Sequence, residues 1–227
     1  MKETILPTNH FGNTLPVQRF PALSETGVVE HGFILRIPGL DVKTDRETAL
    51  QRLEHYHRDQ LATIGPRSLK LAEQIHGDGV ATIDTGSAVK TKQVDGLVTI
   101  DPNVVLEIHV ADCCAVFLLD PVRRVIGLVH SGKKGTEGNI VGAAIRKLRN
   151  EFHSESKDLI AVLSPCIRPP YYEVDFAQSI VAQIAAENVG KIYDDKENTG
   201  SDLERFYSYR MEKGRTGRML AYLALRR

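Results

Sequence analysis

Short apolar runs bounded by turn-forming residues dominate the middle of the chain. Each run is rich in β-branched and aliphatic side chains, and each is too short for a typical helix, which is the pattern of a buried strand. Three such runs follow one another closely. They predict strands at residues 104–110 (VVLEIHV), 115–119 (AVFLL) and 125–129 (VIGLV).

The second and third runs are predicted to form an antiparallel hairpin. Asp120 and Pro121 lie between them, and proline pre-sets the backbone of a tight turn. If Asp120 pairs near Val125, counting outward brings Cys113 opposite the region of His130. The sequence therefore predicts a thiol and an imidazole at the open end of one hairpin.

Helices and further strands surround this centre. Capping aspartates predict helices from Asp45 to about residue 63 and from Asp175 to about residue 187, the second ending near a left-handed Gly190. A third helix should begin between Gly135 and Ile140. Residues 1–27 are expected to be a mostly irregular arm with at most one short strand, and residues 90–95 a polar link. Further strands are predicted at residues 28–37, 80–83, 96–100, 159–163, 206–211 and 219–225.

Composition narrows the class of protein. The chain has 227 residues, 42% of them hydrophobic, and 29 basic residues balance 29 acidic ones. We therefore expect one α/β domain, and nothing in the charge favours a nucleic acid or a membrane surface as partner. No apolar run approaches the length of a bilayer span and the first residues lack a signal-peptide core, so a cytoplasmic protein is expected. Three cysteines, two of them adjacent, suit a reducing compartment.

Several residues are candidates for chemistry. His76 follows residues 69–75, at the end of an element and beside glycines, a place where functional groups are often presented. Only one of Cys113 and Cys114 can face His130, because adjacent strand residues point to opposite sides. Lys133 and Lys134 form a small basic loop before a helix. His55, His57 and Cys166 are interpreted as ordinary packed or solvated residues. The role of His31 is ambiguous.

The order of several motifs resembles the YfiH/YlmD family, also called the laccase-domain or polyphenol-oxidase family. The resemblance extends from about residue 31 to residue 225. It implies a single domain of mixed β-sheets flanked by helices. The matching segments are residues 74–77 (QIHG), 94–99 (VDGLVT), 111–113 (ADC), 129–132 (VHSG), 164–167 (SPCI), 208–210 (SYR) and 216–218 (TGR).

The resemblance also implies a set of site residues. A metal ion, usually taken as zinc with copper as the alternative, would be held by His76, Cys113 and His130. Two imidazoles and one thiolate suit such an ion, and three protein ligands leave a fourth position open. Asp95 and Asp112 match family aspartates and are grouped with Cys113 and His130 as catalytic. Residues predicted to contact substrate or phosphate are Arg36, Gln74, Lys133 and Lys134.

The activity implied is phosphorolysis of purine nucleosides, with adenosine deamination as an additional activity. The partners would be a purine nucleoside and phosphate, and a monomer is expected. Two alternatives stay open: a copper polyphenol oxidase, and a non-catalytic metal-binding relative that acts on nucleotide-linked cell-wall precursors. Lys133 and Lys134 replace a Trp-Arg pair common in the family. Because an ammonium lacks the planar fork of arginine, the sequence predicts a weak, salt-sensitive phosphate site dependent on Lys134.

Overall fold

The computed structural model describes residues 3–5 and 15–227. The chain forms two mixed β-sheets with helices packed against them. The strands are β1 (Glu3–Ile5), β2 (Pro16–Gln18), β3 (Val29–Ile34), β4 (Ser68–Ala72), β5 (Val80–Thr82), β6 (Lys90–Thr91), β7 (Gly96–Thr99), β8 (Val104–Val110), β9 (Cys114–Asp120), β10 (Val125–Ser131), β11 (Ile160–Leu163), β12 (Lys191–Tyr193) and β13 (Met219–Leu225). The helices are α1 (Pro21–Ser24), α2 (Arg46–Ala62), α3 (Lys133–Glu137), α4 (Ile140–Phe152) and α5 (Phe176–Ala186), with a 3₁₀ turn at Ser156–Asp158.

Each sheet combines parallel and antiparallel pairs. The seven-stranded sheet has the order β1-β2-β3-β13-β8-β4-β6, and the six-stranded sheet has the order β12-β11-β9-β10-β7-β5. Strands β4 and β6 extend the first sheet in parallel with β8, whereas its other pairs are antiparallel. The predicted fold class, mixed sheets flanked by helices, is confirmed.

The predicted hairpin of β9 and β10 is also confirmed. Val125 pairs with Asp120, and His130 pairs with Ala115 at the far end. Cys113 comes one residue before β9, so it stands beside His130 at the open end of the hairpin, as the sequence predicted.

Alternate side chains of β9 enter two different hydrophobic clusters. Phe117 and Leu119 pack with residues of the first sheet, whereas Val116 and Leu118 pack with residues of α4 and α5. The same alternation separates the adjacent cysteines, because Cys113 packs against the first cluster and Cys114 belongs to the second. Burial on both faces explains why these strands read as continuous apolar runs.

Local capping positions the long helices. The Asp45 carboxylate accepts from Thr48 N (3.0 Å) at the start of α2, and the Asp175 carboxylate accepts from Gln178 N (3.0 Å) at the start of α5. Each such cap contributes about 1 kcal/mol. Within the described ranges, no helix combines the length and the apolar character that crossing a bilayer requires.

Some predicted elements differ from the structure. Residues 206–211 are irregular and turn structure rather than a strand, because the N–H groups of Tyr207, Ser208 and Arg210 donate to side chains and not to a neighbouring strand. The left-handed residue after α5 is Asn188 (φ 59°), not Gly190. The helix predicted to begin between Gly135 and Ile140 is confirmed as α4, whereas the short helix α3 before it was not predicted.

The beginning of the chain is more regular than predicted. Strands β1 and β2 both join the seven-stranded sheet, where at most one short strand was expected, and α1 follows them. Leu15, Val17, Phe20 and Leu23 are buried in the larger cluster, so burial of these apolar side chains outweighs the irregular local pattern. The short strands β6, at Lys90–Thr91, and β12, at Lys191–Tyr193, were not predicted either, because each is polar or brief and depends on a parallel neighbour.

His31 has a structural role that the sequence left ambiguous. It is 2% exposed, and its Nε2 accepts a hydrogen bond from Phe20 N (3.0 Å). Burial, with the charge of Arg19, lowers the pKa of His31 to about 3. Unfolded histidine binds a proton below about pH 6.5, whereas folded His31 stays neutral, so its contribution makes the folded state less stable as the pH falls from about 6.5 towards 3.

Replacing His31 with glutamine should remove this pH dependence, because the glutamine side chain keeps an acceptor for Phe20 N but does not titrate. Urea unfolding between about pH 7 and pH 5 should show a steeper loss of stability for the parent, by at most about 1.4 kcal/mol per pH unit. Parallel pH profiles for the parent and His31→Gln would show that His31 titrates normally in the folded protein.

Candidate metal centre

Three side chains from separate elements meet at the open end of the hairpin. His76 lies in the loop after β4, Cys113 in the turn before β9, and His130 near the end of β10. One ligand atom from each lies within 4.8 Å of the other two. The two imidazole rings are 4.8 Å apart between centroids and nearly perpendicular. His76 is exposed, Cys113 half-buried and His130 buried, so the cluster is open to solvent on the His76 side.

The donor set fits a divalent ion of the zinc type. Two imidazoles and a thiolate are ligands that zinc and related borderline ions prefer, and three protein ligands leave one position for another group. Among the described residues, this is the one group of three or more His, Cys, Asp or Glu side chains placed to hold a metal ion.

Asp95 holds two of the three candidate ligands in place. It is fully buried, and its carboxylate accepts from His130 Nδ1 (2.7 Å). It also accepts from His76 N (2.9 Å) and from the backbone N–H groups of Ile75 and Gly77. This pairing leaves His130 Nε2 for the cluster, in the manner of the carboxylates that orient metal-binding histidines. Asp95 is therefore a positioning residue.

The electrostatics favour the ligand form of Cys113. Burial alone would raise the pKa of its thiol, but the charge of His130 and hydrogen bonds from both imidazoles lower that pKa to about 6. Burial opposes protonation of His130, yet the charge of Cys113 and the bond to Asp95 raise its pKa to about 9. Although burial opposes ionisation of Asp95 too, its hydrogen bonds from His130, Gly77 and His76 lower its pKa. Without a metal, the pair thus favours a thiolate beside a protonated imidazole, and a bound metal would take the place of the His130 proton.

Gly132 leaves the room that the Cys113 sulfur occupies. Its backbone is extended (φ −100°, ψ −170°), a conformation open to other residues. However, a Cβ at this position would lie 2.5 Å from Cys113 Sγ and 3.8 Å from His76 Cδ2. Glycine is required here by the close approach of the sulfur and not by the backbone conformation.

Gly132→Ala should displace the sulfur and weaken metal binding at least about tenfold, with a stability loss of about 1–3 kcal/mol. Gly86→Ala is the matched control, because the nearest atom to its Cβ, Asp84 Oδ1, is 3.4 Å away. Competitive metal titration and thermal unfolding measure both effects. Equal metal affinity in the two variants would show that the contact with Gly132 does not shape the cluster.

Asp112 anchors the turn that carries Cys113. It has a left-handed backbone (φ 81°), and its carboxylate accepts from Thr199 Oγ1 (2.8 Å) and Arg210 N (2.7 Å). Its carbonyl oxygen accepts from Ile167 N. Burial raises the pKa of Asp112 although these hydrogen bonds oppose the rise. Asp112 thus ties three distant segments to the cysteine turn, which is a positioning role.

The other two cysteines lie apart from the cluster. Cys114 and Cys166 are fully buried, and Cys114 Sγ faces the Ser164 carbonyl (3.7 Å). Contact with Cys114, together with burial, raises the pKa of Cys166 well above its ordinary value. Neither thiol has the electropositive, partly exposed surroundings of a nucleophile.

The residues predicted to contact substrate differ in the partners that their side chains already have. Both polar ends of the Gln74 side chain bind the backbone of His109 (2.6 and 3.0 Å). Arg36 pairs with Glu212 (2.6 Å) and lies over the Tyr207 ring, so its guanidinium is already engaged. Lys133 and Lys134 are exposed on the five-residue helix α3.

Arg218 is a candidate that sequence reasoning did not assign a role. It is 9% exposed, and its Nη1 donates to the carbonyls of Thr216 (2.9 Å) and Gly217 (2.8 Å). In the described part of the chain no carboxylate forms an ion pair with it. Burial and the charge of Arg46 lower the pKa of Arg218, and Cys113 and Asp112 lie within electrostatic range. In the sequence, the feature that could have pointed to Arg218 is the 216–218 motif directly before β13.

The fold and motifs match known proteins. A family model described as multi-copper polyphenol oxidoreductase laccase matches residues 38–188 and 173–226. A Bacillus subtilis protein named purine nucleoside phosphorylase YlmD is 28% identical over 239 residues, which cover 88% of this chain and 85% of that protein.

Two solved structures share the fold. YlmD from Geobacillus stearothermophilus superposes with a TM-score of 0.80 at 21% identity and covers 100% of both chains. The Bacillus licheniformis hypothetical protein YfiH gives a TM-score of 0.74 at 22% identity, covering 87% of this chain and 93% of that one.

Proposed function

Because this chain belongs to the multi-copper polyphenol oxidoreductase laccase family and resembles proteins named purine nucleoside phosphorylase, we propose that it is a metal-dependent purine nucleoside phosphorylase. The observation that carries the proposal is the cluster of His76, Cys113 and His130, held by the buried Asp95.

The chain's own residues suit this reaction. In phosphorolysis a phosphate oxygen bonds to C1′ of the ribose while the bond from C1′ to N9 of the purine breaks, and the leaving base takes a proton. A zinc ion bound by the three ligands would supply Lewis acidity to this site. Asp95 orients His130 through its hydrogen bond, and Asp112 holds the cysteine turn against the Arg210 backbone.

Arg218 is the group that we assign to phosphate. A buried guanidinium without a carboxylate partner is costly, and an anion bound beside it would offset that cost. Its planar fork also suits a phosphate better than an ammonium does. Lys134 is exposed, so water and salt screen its charge.

Arg218→Met should raise the KM for phosphate at least about tenfold, because losing a charge-assisted contact costs about 1.5–3 kcal/mol. Lys134→Ala is the comparison, and its exposure makes a smaller change the expected result. Steady-state kinetics at fixed nucleoside and varied phosphate measures both. A larger effect of Lys134→Ala would return the phosphate site to the basic loop predicted from the sequence.

The copper oxidase alternative is less well supported. An enzyme with several coppers needs several sets of ligands, whereas the described residues supply a single three-ligand cluster.

Adenosine deamination, the additional activity, needs no phosphate and would release ammonia.

Product analysis tests the proposal. The zinc-loaded protein is incubated with inosine, adenosine, guanosine and methylthioadenosine, with and without phosphate. We expect free base and a ribose 1-phosphate (5-methylthioribose 1-phosphate from methylthioadenosine) only when phosphate is present. Free base released without phosphate, ammonia as the only product, or no product from any nucleoside would contradict the phosphorylase assignment.

A further inference from the structure

An exposed tyrosine lies beside the arginine that we assign to phosphate. Tyr209 is 56% exposed, more than any other tyrosine in the described part of the chain. The guanidinium of Arg218 lies over its ring, with Cζ 5.9 Å from the ring centroid, which is within the range of a cation–π contact. Aromatic side chains bury large areas when they pack, so an exposed ring beside a candidate site is available to a ligand.

The turn that carries Tyr209 is fixed to the metal centre. The N–H of Arg210, the next residue, donates to the Asp112 carboxylate (2.7 Å), and Asp112 directly precedes the candidate ligand Cys113. The Tyr209 carbonyl accepts from Gly214 N (2.8 Å). Gly214 also lies against the ring, because a Cβ there would be 3.3 Å from Tyr209 Cε2. The backbone therefore presents the ring at a defined place next to the cysteine turn, which lowers the cost of ordering it around a ligand.

The chemistry of phosphorolysis limits where the purine can lie. Phosphate bonds to C1′ of the ribose, and the base is attached to that same carbon, so the base site has to adjoin the phosphate site. Tyr209 adjoins Arg218 and is tied through Arg210 and Asp112 to the cysteine turn. Its position is therefore the one that this geometry requires of a base-binding residue.

The other exposed groups near the cluster lack an aromatic face. Lys133 stands where the family commonly has tryptophan, so the basic loop offers an ammonium group and no ring. Ile75 is 54% exposed and directly precedes His76, but its side chain is aliphatic. Nucleobases stack on aromatic rings, and truncating such a ring to alanine removes most of this contact.

We propose that Tyr209 is the stacking surface for the purine base of the nucleoside. This inference rests on the proposed phosphorylase function and names the residue of that site that holds the base. Stacking acts on the bound nucleoside before and during the reaction, so it lowers the KM for nucleoside more than it raises kcat. Tyr209 is thus a substrate-binding residue and not a catalytic one.

Calorimetric titration of the zinc-loaded protein with inosine tests the proposal, with sulfate in place of phosphate so that no phosphorolysis occurs. Tyr209→Ala should weaken inosine binding at least about tenfold. Tyr209→Phe keeps the ring and should bind within about twofold of the parent. Tyr193→Ala is the matched control, because it removes a tyrosine that is 41% exposed on the edge strand β12, and it should leave binding unchanged. Thermal unfolding checks that each variant is folded.

Steady-state kinetics provides a second readout. Tyr209→Ala should raise the KM for inosine at least about tenfold, while kcat and the KM for phosphate stay within a few fold of the parent. Ile75→Ala is the comparison for an apolar contact without a ring, and a smaller effect is expected.

Four results would overturn the assignment of the base to Tyr209. They are unchanged inosine binding in Tyr209→Ala, loss of binding in Tyr209→Phe, a larger effect of Ile75→Ala, and no inosine binding by the parent. The phosphorylase proposal is judged separately by its products. A parent that binds inosine through Tyr209 but forms no ribose 1-phosphate would contradict that proposal and support the stacking role.

Discussion

Cys113→Ala is expected to remove the bound metal and to lower the rate of phosphorolysis at least about a hundredfold. The thiolate is the one anionic ligand of the cluster, and a catalytic metal contributes several kcal/mol of transition-state stabilisation. Elemental analysis of the purified protein and initial rates with inosine and phosphate measure the two effects.

The adjacent cysteine provides the control for that experiment. Cys114→Ala removes a fully buried thiol on the opposite side of the strand, so it should cost some stability and leave metal content and turnover within a few fold of the parent. If Cys113→Ala kept its metal, or if Cys114→Ala lost it, the assignment of the ligand would be wrong.

Asp95→Ala should be nearly as damaging as losing a ligand. The change leaves His130 Nδ1 and three backbone N–H groups without their acceptor. Loss of such an orienting carboxylate typically lowers metal affinity 10–100-fold, and buried donors left unpaired cost about 1–3 kcal/mol each. Competitive zinc titration and urea unfolding should show both losses.

Two further variants separate orientation from general stability. Asp95→Asn keeps one acceptor oxygen and should give an intermediate metal affinity. Asp101→Ala removes another turn aspartate, which accepts from Asn103 N and Thr85 N, and should reduce stability without changing metal affinity. Unchanged zinc affinity in Asp95→Ala would mean that the carboxylate does not position His130.

The part of the centre that could be predicted from the sequence depends on local patterns. Strand alternation and the Asp120-Pro121 turn fix the register of the β9–β10 hairpin, so the meeting of Cys113 and His130 follows from residues near them in the chain. The helix caps at Asp45 and Asp175 were predicted for the same reason. The place of His76 in the cluster came from the family resemblance, because no local pattern brings the loop after β4 to the hairpin.

The remaining features depend on burial and on long-range contacts. The Asp95 carboxylate accepts hydrogen bonds from residues 18 to 35 positions away along the chain, whereas the local sequence pattern predicts only a polar link there. Gln74 was predicted to touch substrate, yet the backbone of His109 occupies its amide. Arg218 became a candidate only when its burial and its lack of a carboxylate partner were visible. The contacts of Asp95, Gln74 and Arg218 cannot be inferred from spacing along the chain.

Titrating metal-free protein with zinc, while following ribose 1-phosphate formed from inosine and phosphate, tests whether a metal at the cluster drives phosphorolysis. We expect a rate that rises with added zinc and reaches its maximum at about one equivalent per chain, with no such rise in Cys113→Ala. A rate that is independent of zinc, or an equal rise in Cys113→Ala, would contradict it.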